Sequence, residues 1–241
     1  MANILLIETS TRVCSVGVAR DGQLLALRED HSANYSHSAL LTRFIESALK
    51  EAGLSAKELD AVAVSMGPGS YTGLRIGVSA AKGICYALDL PLIAIDTLRA
   101  MAWQCLDQKR EIILQTGDGK LPLLLCPMID ARRMEVYHAI FNEELKTIEP
   151  TQARIITDDS FSTLLKNHRM VFFGDGAEKC TALLQHENTT VFNDVFPSVK
   201  GMVSAAFEKF SAEQFVDVAY FEPFYLKDFV AGAPKVKGLF S

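Results

Sequence analysis

Glu8, Thr9, Ser10 and Thr11 follow the apolar run Ile4-Leu5-Leu6-Ile7 and form the first cluster in this chain equipped for chemistry. A carboxylate and three hydroxyls in one turn could wrap a phosphate, the hydroxyls donating and Glu8 holding a magnesium ion through water. An ordinary polar hairpin after a strand uses the same residue types, so both readings stand: a vestigial phosphate loop, or a plain turn.

The second cluster is Gly67-Pro68-Gly69-Ser70-Tyr71-Thr72-Gly73-Leu74-Arg75-Ile76-Gly77. The apolar stretch Ala61–Ser65 leads into it and a small-residue helix, about Gly73 to Leu88, leads out. A buried strand turns sharply into a helix there, and glycine lets the backbone bend and approach a neighbour closely. Such turns cradle phosphates, because helix N-termini present free N–H groups and the positive end of the dipole. The phosphate-loop pattern requires Gly-Lys-Ser/Thr at its end and the dinucleotide pattern a different glycine spacing, and this loop meets neither. A strand–turn–helix junction without a ligand is the equal alternative.

Other chemistry is thin. The chain has no H-E-x-x-H and no G-x-S-x-G, and no local signature sets a His–Asp pair beside Ser70, so a peptidase reading has little support. Asp130 and Glu135 read as the polar ends of a hairpin with Arg132 and Arg133 as partners, rather than as an acid–base pair. No residue is nominated as catalytic and none as a metal ligand.

The elements that position these clusters repeat. Strands are expected at 3–8, 14–19 and 24–28, with Asp21-Gly22 as a hairpin turn. A helix from about Ser36 to Ala52, a strand at 61–65, a helix at 73–88, a strand at 92–95 and a helix at 97–107 follow. The second half gives strands at 123–129, 134–142 and, more weakly, 146–148, then a helix near 160–166 and a strand at 170–173. A Gly174-Asp175-Gly176 turn, a helix from Ala177, a strand at 190–192 and a helix at 200–210 complete it. The order β-β-β-α-β-α-β thus appears twice, Asp130 echoing Glu8 and Gly174-Asp175-Gly176 echoing Gly67-Pro68-Gly69. Parallel cores follow from the strand–helix–strand connections. The expected division is a lobe over 1–110, a smaller one over 111–229 and an extended tail over 230–241, with the seam near Gln115–Lys120. Duplicated lobes of this ribonuclease H-like plan are those of the actin-like ATPase and sugar-kinase (ASKHA) superfold.

The two helices of the first lobe carry more apolar and small positions than one buried face needs. The first has Leu40, Leu41, Phe44, Ile45, Ala48 and Leu49; the second has Gly73, Gly77, Ala80, Ala81, Gly83, Ile84 and Ala87 at three- and four-residue spacings. Glycine costs about 1 kcal/mol against alanine inside a helix, and close packing of another helix, at the short end of the ~8–10 Å range, compensates. Leu41, Phe44, Ile45, Arg75, Ile76, Gly77, Ala80 and Ile84 are therefore candidate partner contacts, with burial inside this chain as the alternative.

Composition narrows the field. A net charge of −5 over 241 residues, with no Lys/Arg cluster beyond pairs such as Lys109-Arg110, argues against a chain that grips nucleic acid alone. The five cysteines form no C-x-x-C pair and sit mostly in apolar runs, as small buried hydrophobes do in a reducing compartment. The longest apolar run, Leu121–Ile129, is far short of a bilayer span, and no signal-peptide pattern opens the chain, so no membrane association and a cytoplasmic location are expected.

The Gly67–Gly77 string resembles the signature of the TsaB (YeaZ) family, bacterial proteins of tRNA threonylcarbamoyladenosine biosynthesis. Supporting matches run from Ile4–Thr11 through His37-Ser38-Ala39-Leu40-Leu41 and Asp130–Tyr137 to Glu222-Pro223-Phe224-Tyr225-Leu226-Lys227. The resemblance implies the actin-like fold and a non-catalytic scaffold that binds TsaD. TsaC would make threonylcarbamoyl-adenylate, TsaD transfer the group to the adenosine beside the tRNA anticodon, and the ATPase TsaE reset the complex. It implies a homodimer where TsaD is absent, and tRNA contact only through the assembled complex. Catalytic relatives hold a metal with two histidines four residues apart on the first helix; here His37 is matched by Leu41, which argues against independent catalysis. No resident cofactor is expected, ATP or ADP at the partner interface being left open. The rival is an autonomous ATP- and magnesium-dependent small-molecule kinase of the same fold.

Overall fold

The computed structural model describes residues 1–31, 37–116 and 121–226, with the backbone alone at His37. The expected tail at 230–241, the glycine-rich part of the seam at 117–120, Lys227 and the His37 side chain lie outside the described residues.

The first sheet is built from β1 (Asn3–Glu8), β2 (Cys14–Arg20), β3 (Gln23–Asp30), β4 (Ala61–Gly67) and β5 (Leu92–Asp96), in the order β3-β2-β1-β4-β5. β1, β2 and β3 are antiparallel, while β4 and β5 run parallel to β1. Asp21 and Gly22 adopt φ of 48° and 80°, the left-handed pair that a two-residue hairpin matching the strand twist demands. α1 (His37–Glu51) and α2 (Tyr71–Leu88) cover one face. The run Ile4-Leu5-Leu6-Ile7 is continuous because both faces of β1 are buried: Leu5 and Ile7 meet the α1/α2 side, Ile4 and Leu6 the other.

The second sheet repeats the plan with β6 (Leu123–Asp130), β7 (Glu135–Asn142), β8 (Thr147–Ile155), β9 (Arg169–Phe173) and β10 (Thr189–Phe192), ordered β10-β9-β6-β7-β8. α4 (Ser162–Leu165) and α5 (Asp175–Cys180) cover one face of it, through Leu165, Ala177 and Cys180. The remaining helices cross over. α3 (Thr97–Gln115), which follows the first sheet in sequence, packs Leu98, Met101, Ala102 and Cys105 against Leu125, Ile129, Val171 and Phe173 of the second. α6 (Val203–Ser211), which follows the second sheet, packs Val203 and Ala206 with Met202 against Ile4, Leu6, Ile93 and Ile95 of the first. The expected lobe boundary at residue 110 falls inside α3.

Several elements differ from expectation; α2, for instance, begins at Tyr71 and α6 at Val203. β8 extends through Thr147–Ile155 although Pro150 interrupts it, because it is an edge strand that tolerates a missing N–H. α3 continues to Gln115, and α5 begins at Asp175, two residues before the expected start. The five cysteines are buried and unpaired, and no helix among the described residues is long and apolar enough to cross a membrane.

The crossing of α3 by the turn before α6 is made at Gly201, where a Cβ would strike the Ala100 carbonyl. Gly201→Val is expected to lower the urea-unfolding free energy by about 1–3 kcal/mol, as overpacking against backbone does. An unchanged midpoint would show that this close approach contributes nothing to stability.

Candidate functional site

β4 ends at Gly67 with φ of 107° and a cis Gly67–Pro68 peptide; a side chain at Gly67 would come within 2.9 Å of the Phe224 carbonyl. Gly69 packs its bare Cα against the Ser10 carbonyl, which lets Ser70 N–H donate to that oxygen at 2.6 Å. Ser70 Oγ then accepts from Gly73 N–H at 3.2 Å and caps α2. Thr9 Oγ1 donates to the Gly73 carbonyl at 2.8 Å, and a Cβ on Gly77 would strike the same hydroxyl. The two sequence clusters are therefore one packed knot.

Glu8, Thr9, Ser10 and Thr11 are all buried in it. Glu8 Oε1 accepts from Ser10 N–H at 2.6 Å and from Ser65 Oγ at 3.0 Å. Burial raises the Glu8 pKa above the usual carboxylate range, with the Ser10 and Ser65 bonds pulling the other way. Ser10 Oγ is buried and makes no bond among the described residues. The turn after β1 is thus packed directly against Gly69 and Ser70 of the same chain.

The second turn is closed in the same manner. A Cβ on Gly174 would meet the Met128 carbonyl, and Gly176 lies against Ile129 backbone. Asp130 N–H donates to Asp175 Oδ1 at 2.9 Å. Burial raises the Asp175 pKa; the Asp130 N–H bond opposes that rise, the Asp130 charge adds to it and Arg12 opposes it. Lys179 Nζ donates to Asp130 Oδ1 at 2.5 Å and to the carbonyls of Arg133 and Glu135, each at 2.7 Å. The partner of Asp130 is therefore Lys179 together with Arg132 N–H, and not the Arg132 or Arg133 guanidinium. Nothing in local spacing signals a bond between residues 49 apart.

The outer surfaces of α1 and α2 enclose a groove of about 570 Å³, walled by Ser38 and Thr42 on one side and Thr72, Arg75, Ser79 and Ala80 on the other. Leu41 forms its floor and is only 2% exposed, since it belongs to the core of the first lobe. Phe44, Ile45, Ile76, Ala80 and Ile84 are half-buried at the edge of that core, and Arg75 is exposed. Gly77 corrects the expected contact list, because it faces Thr9 and Ile7 inside the chain. The outward small residues are Ser79, Gly83 and Ala87, with Tyr86 beside them 87% exposed. His31 lies 3.8 Å from Glu29 and edge-on to Phe196.

Two sheets of identical order, each headed by a glycine-closed turn and exchanging helices, place the chain in the actin-like ATPase and sugar-kinase superfold. The family model described as TsaD, tRNA N6-adenosine threonylcarbamoyltransferase, matches residues 31–234. The tRNA threonylcarbamoyladenosine biosynthesis protein TsaB of Escherichia coli K12 is 30% identical over 240 residues, covering 95% of this chain and 96% of that protein. TsaB of Haemophilus influenzae is 26% identical over 93% of each chain. A solved Pseudomonas aeruginosa structure described as similar to the peptidase YeaZ shares the fold at a TM-score of 0.80 and 22% identity, covering 94% of this chain and all (100%) of that one. The chain belongs to the TsaB family, within the wider group that the TsaD model describes.

The knot makes two expectations. Above the ordinary carboxylate range the unfolded chain ionises Glu8 while the fold resists doing so, so this group destabilises increasingly as pH rises. Glu8→Gln keeps an acceptor oxygen and should gain in thermal midpoint relative to the parent at pH 8 compared with pH 4.5; an equal difference at both would refute the burial argument. Gly77→Leu should unfold the first lobe, read as a collapsed thermal transition, whereas a merely surface glycine would tolerate it.

Proposed function

We propose that this chain is a non-catalytic scaffold that binds TsaD in the complex that transfers a threonylcarbamoyl group to the adenosine next to the tRNA anticodon. The observation that carries this reading is the α1/α2 groove, with an apolar floor, small walls and the exposed Arg75 side chain at its rim. Two helices that present small outward residues can accept two helices of a partner in a four-helix contact. TsaD occupies this face, or a second copy of the chain when TsaD is absent. ATP or ADP, if the complex holds it, lies at that partner interface.

The turns support the absence of independent catalysis. Where an actin-like enzyme would offer phosphate-binding hydroxyls and an ionised carboxylate, Glu8 is buried with its pKa raised and Lys179 neutralises Asp130. Gly69 and Gly174 lie against the backbone of Ser10 and Met128, which favours reading both turns as closed junctions over the kinase reading. The net charge of −5 fits a subunit that meets tRNA only within the assembly, where TsaC supplies the activated group and TsaE acts on the complex.

Threonylcarbamoylation of tRNA reconstituted from TsaC, TsaD and TsaE should require this chain, which alone neither hydrolyses ATP nor modifies tRNA. Full activity without it would sink the scaffold role, and magnesium-dependent ATP turnover by the isolated chain would revive the kinase. Ala80→Trp, placed on the groove wall, should abolish TsaD binding while the thermal melt stays near that of the parent.

A further inference from the structure

After α6 the chain turns back and crosses the first lobe toward the signature loop. Val216 N–H donates to the Leu92 carbonyl at 2.9 Å, and Lys82 Nζ donates to the carbonyls of Ala219 and Phe221 at 3.0 and 3.1 Å. Val218 and Phe221 pack against the core beneath α1 and α2. Phe224 N–H donates to the Met66 carbonyl at 2.7 Å, and its own carbonyl lies over the bare Cα of Gly67. Ordering such a segment costs backbone entropy at every residue, so contacts at both ends and the middle are needed to hold it.

Those contacts deliver the next residue, Tyr225, to the start of α2. Its ring centroid lies 4.9 Å from that of Tyr71, tilted by 41°. Tyr71 holds Arg75 in turn: Arg75 Nη1 donates to Tyr71 Oη at 2.6 Å, and the guanidinium carbon lies 5.3 Å from the ring centroid. Burial raises the Tyr225 phenol pKa and the nearby Arg75 charge opposes that rise. Arg75 is exposed at the groove rim and makes no ion pair among the described residues. A guanidinium held on the Tyr71 ring and hydroxyl has already lost rotamer freedom, and a planar fork so held matches a carboxylate.

We infer that residues 215–226 are a strap that sets the rim of the partner groove, Tyr225 positioning Tyr71 so that Arg75 is aimed at an acidic side chain of the partner. The inference rests on the partner-binding reading above. It makes Tyr225 a positioning residue whose effect passes through Arg75, so losses on mutation should not add.

Calorimetric titration with purified TsaD tests the coupling. Arg75→Ala should weaken binding about 30-fold, the loss of a hot-spot side chain, and Tyr225→Ala about 10-fold. The double variant should be no more than about 3-fold weaker than Arg75→Ala alone, and Tyr225→Phe, which keeps the ring, should stay within about 3-fold of the parent. In the free ¹⁵N-labelled chain, the Arg75 Nε–H resonance should shift in Tyr225→Ala and hold in Tyr225→Phe, with the thermal midpoint reporting an intact fold. Tyr225→Leu replaces the alanine variant if that one melts early. Additive losses, or an Arg75 resonance indifferent to Tyr225→Ala, would overturn the strap. Failure of the parent chain to bind TsaD would instead overturn the partner reading, leaving the free-chain resonance to decide the positioning.

Discussion

Ser70 N–H donates to the Ser10 carbonyl at 2.6 Å, and that bond ties the turn after β1 to the turn after β4. It is available only because Gly69 has no side chain to hold the two backbones apart. Once made, it sets the start of α2, with the Ser70 hydroxyl as cap and Thr9 bonded to the Gly73 carbonyl. The rotation of α2 about its axis follows. Gly77 and Ala81 turn inward, which leaves Arg75 and Ser79 outward along the groove and Gly83 exposed further along the helix. The outer surface is thus a consequence of how the inner turns close.

The same closure decides the electrostatics. A carboxylate that holds a hydrated metal must be ionised and reachable by water. Glu8 is neither favoured as an anion nor exposed, and its acceptor oxygen is taken by Ser10 and Ser65. In the second lobe the counterpart, Asp130, remains at the surface but accepts from an ammonium that two carbonyls hold in place. One turn disfavours the carboxylate charge by burial and the other pairs it with a tethered cation. Two different devices, at positions related by the internal repeat, bring the site to the same result.

Much of this fold was legible because its strongest signals are local. Strands buried on both faces read as unbroken apolar runs, and Asp21-Gly22 has the left-handed backbone its hairpin requires. What stayed hidden was long-range. The spacing of α3 shows an apolar face but not that this face belongs to the other sheet. Pro150 masked β8, since only its place at the sheet edge makes the proline acceptable. Gly77 shares helical spacing with Ala80, and only the position of Thr9 separates an inward glycine from an outward small residue. Lys179 and the Tyr225 contact join segments far apart in sequence, where no periodicity reaches.

Glycines in α2 separate what the chain needs for itself from what it offers to others. Gly77 has a reason inside the molecule, because a Cβ there meets Thr9. Gly83 has none among the described residues: a Cβ built on it meets nothing within 4 Å, and the residue is exposed. Alanine at that position would stabilise the isolated helix by about 1 kcal/mol at no steric penalty. Internal packing therefore gives no account of Gly83, whereas a second helix approaching at the short end of the normal interaxial range would. Tyr86, three residues on and almost fully exposed, fits the same account, since a large apolar ring in water is costly unless a partner covers it. The exposed small residues and the Tyr86 ring thus have no packing role among the described residues of the chain itself.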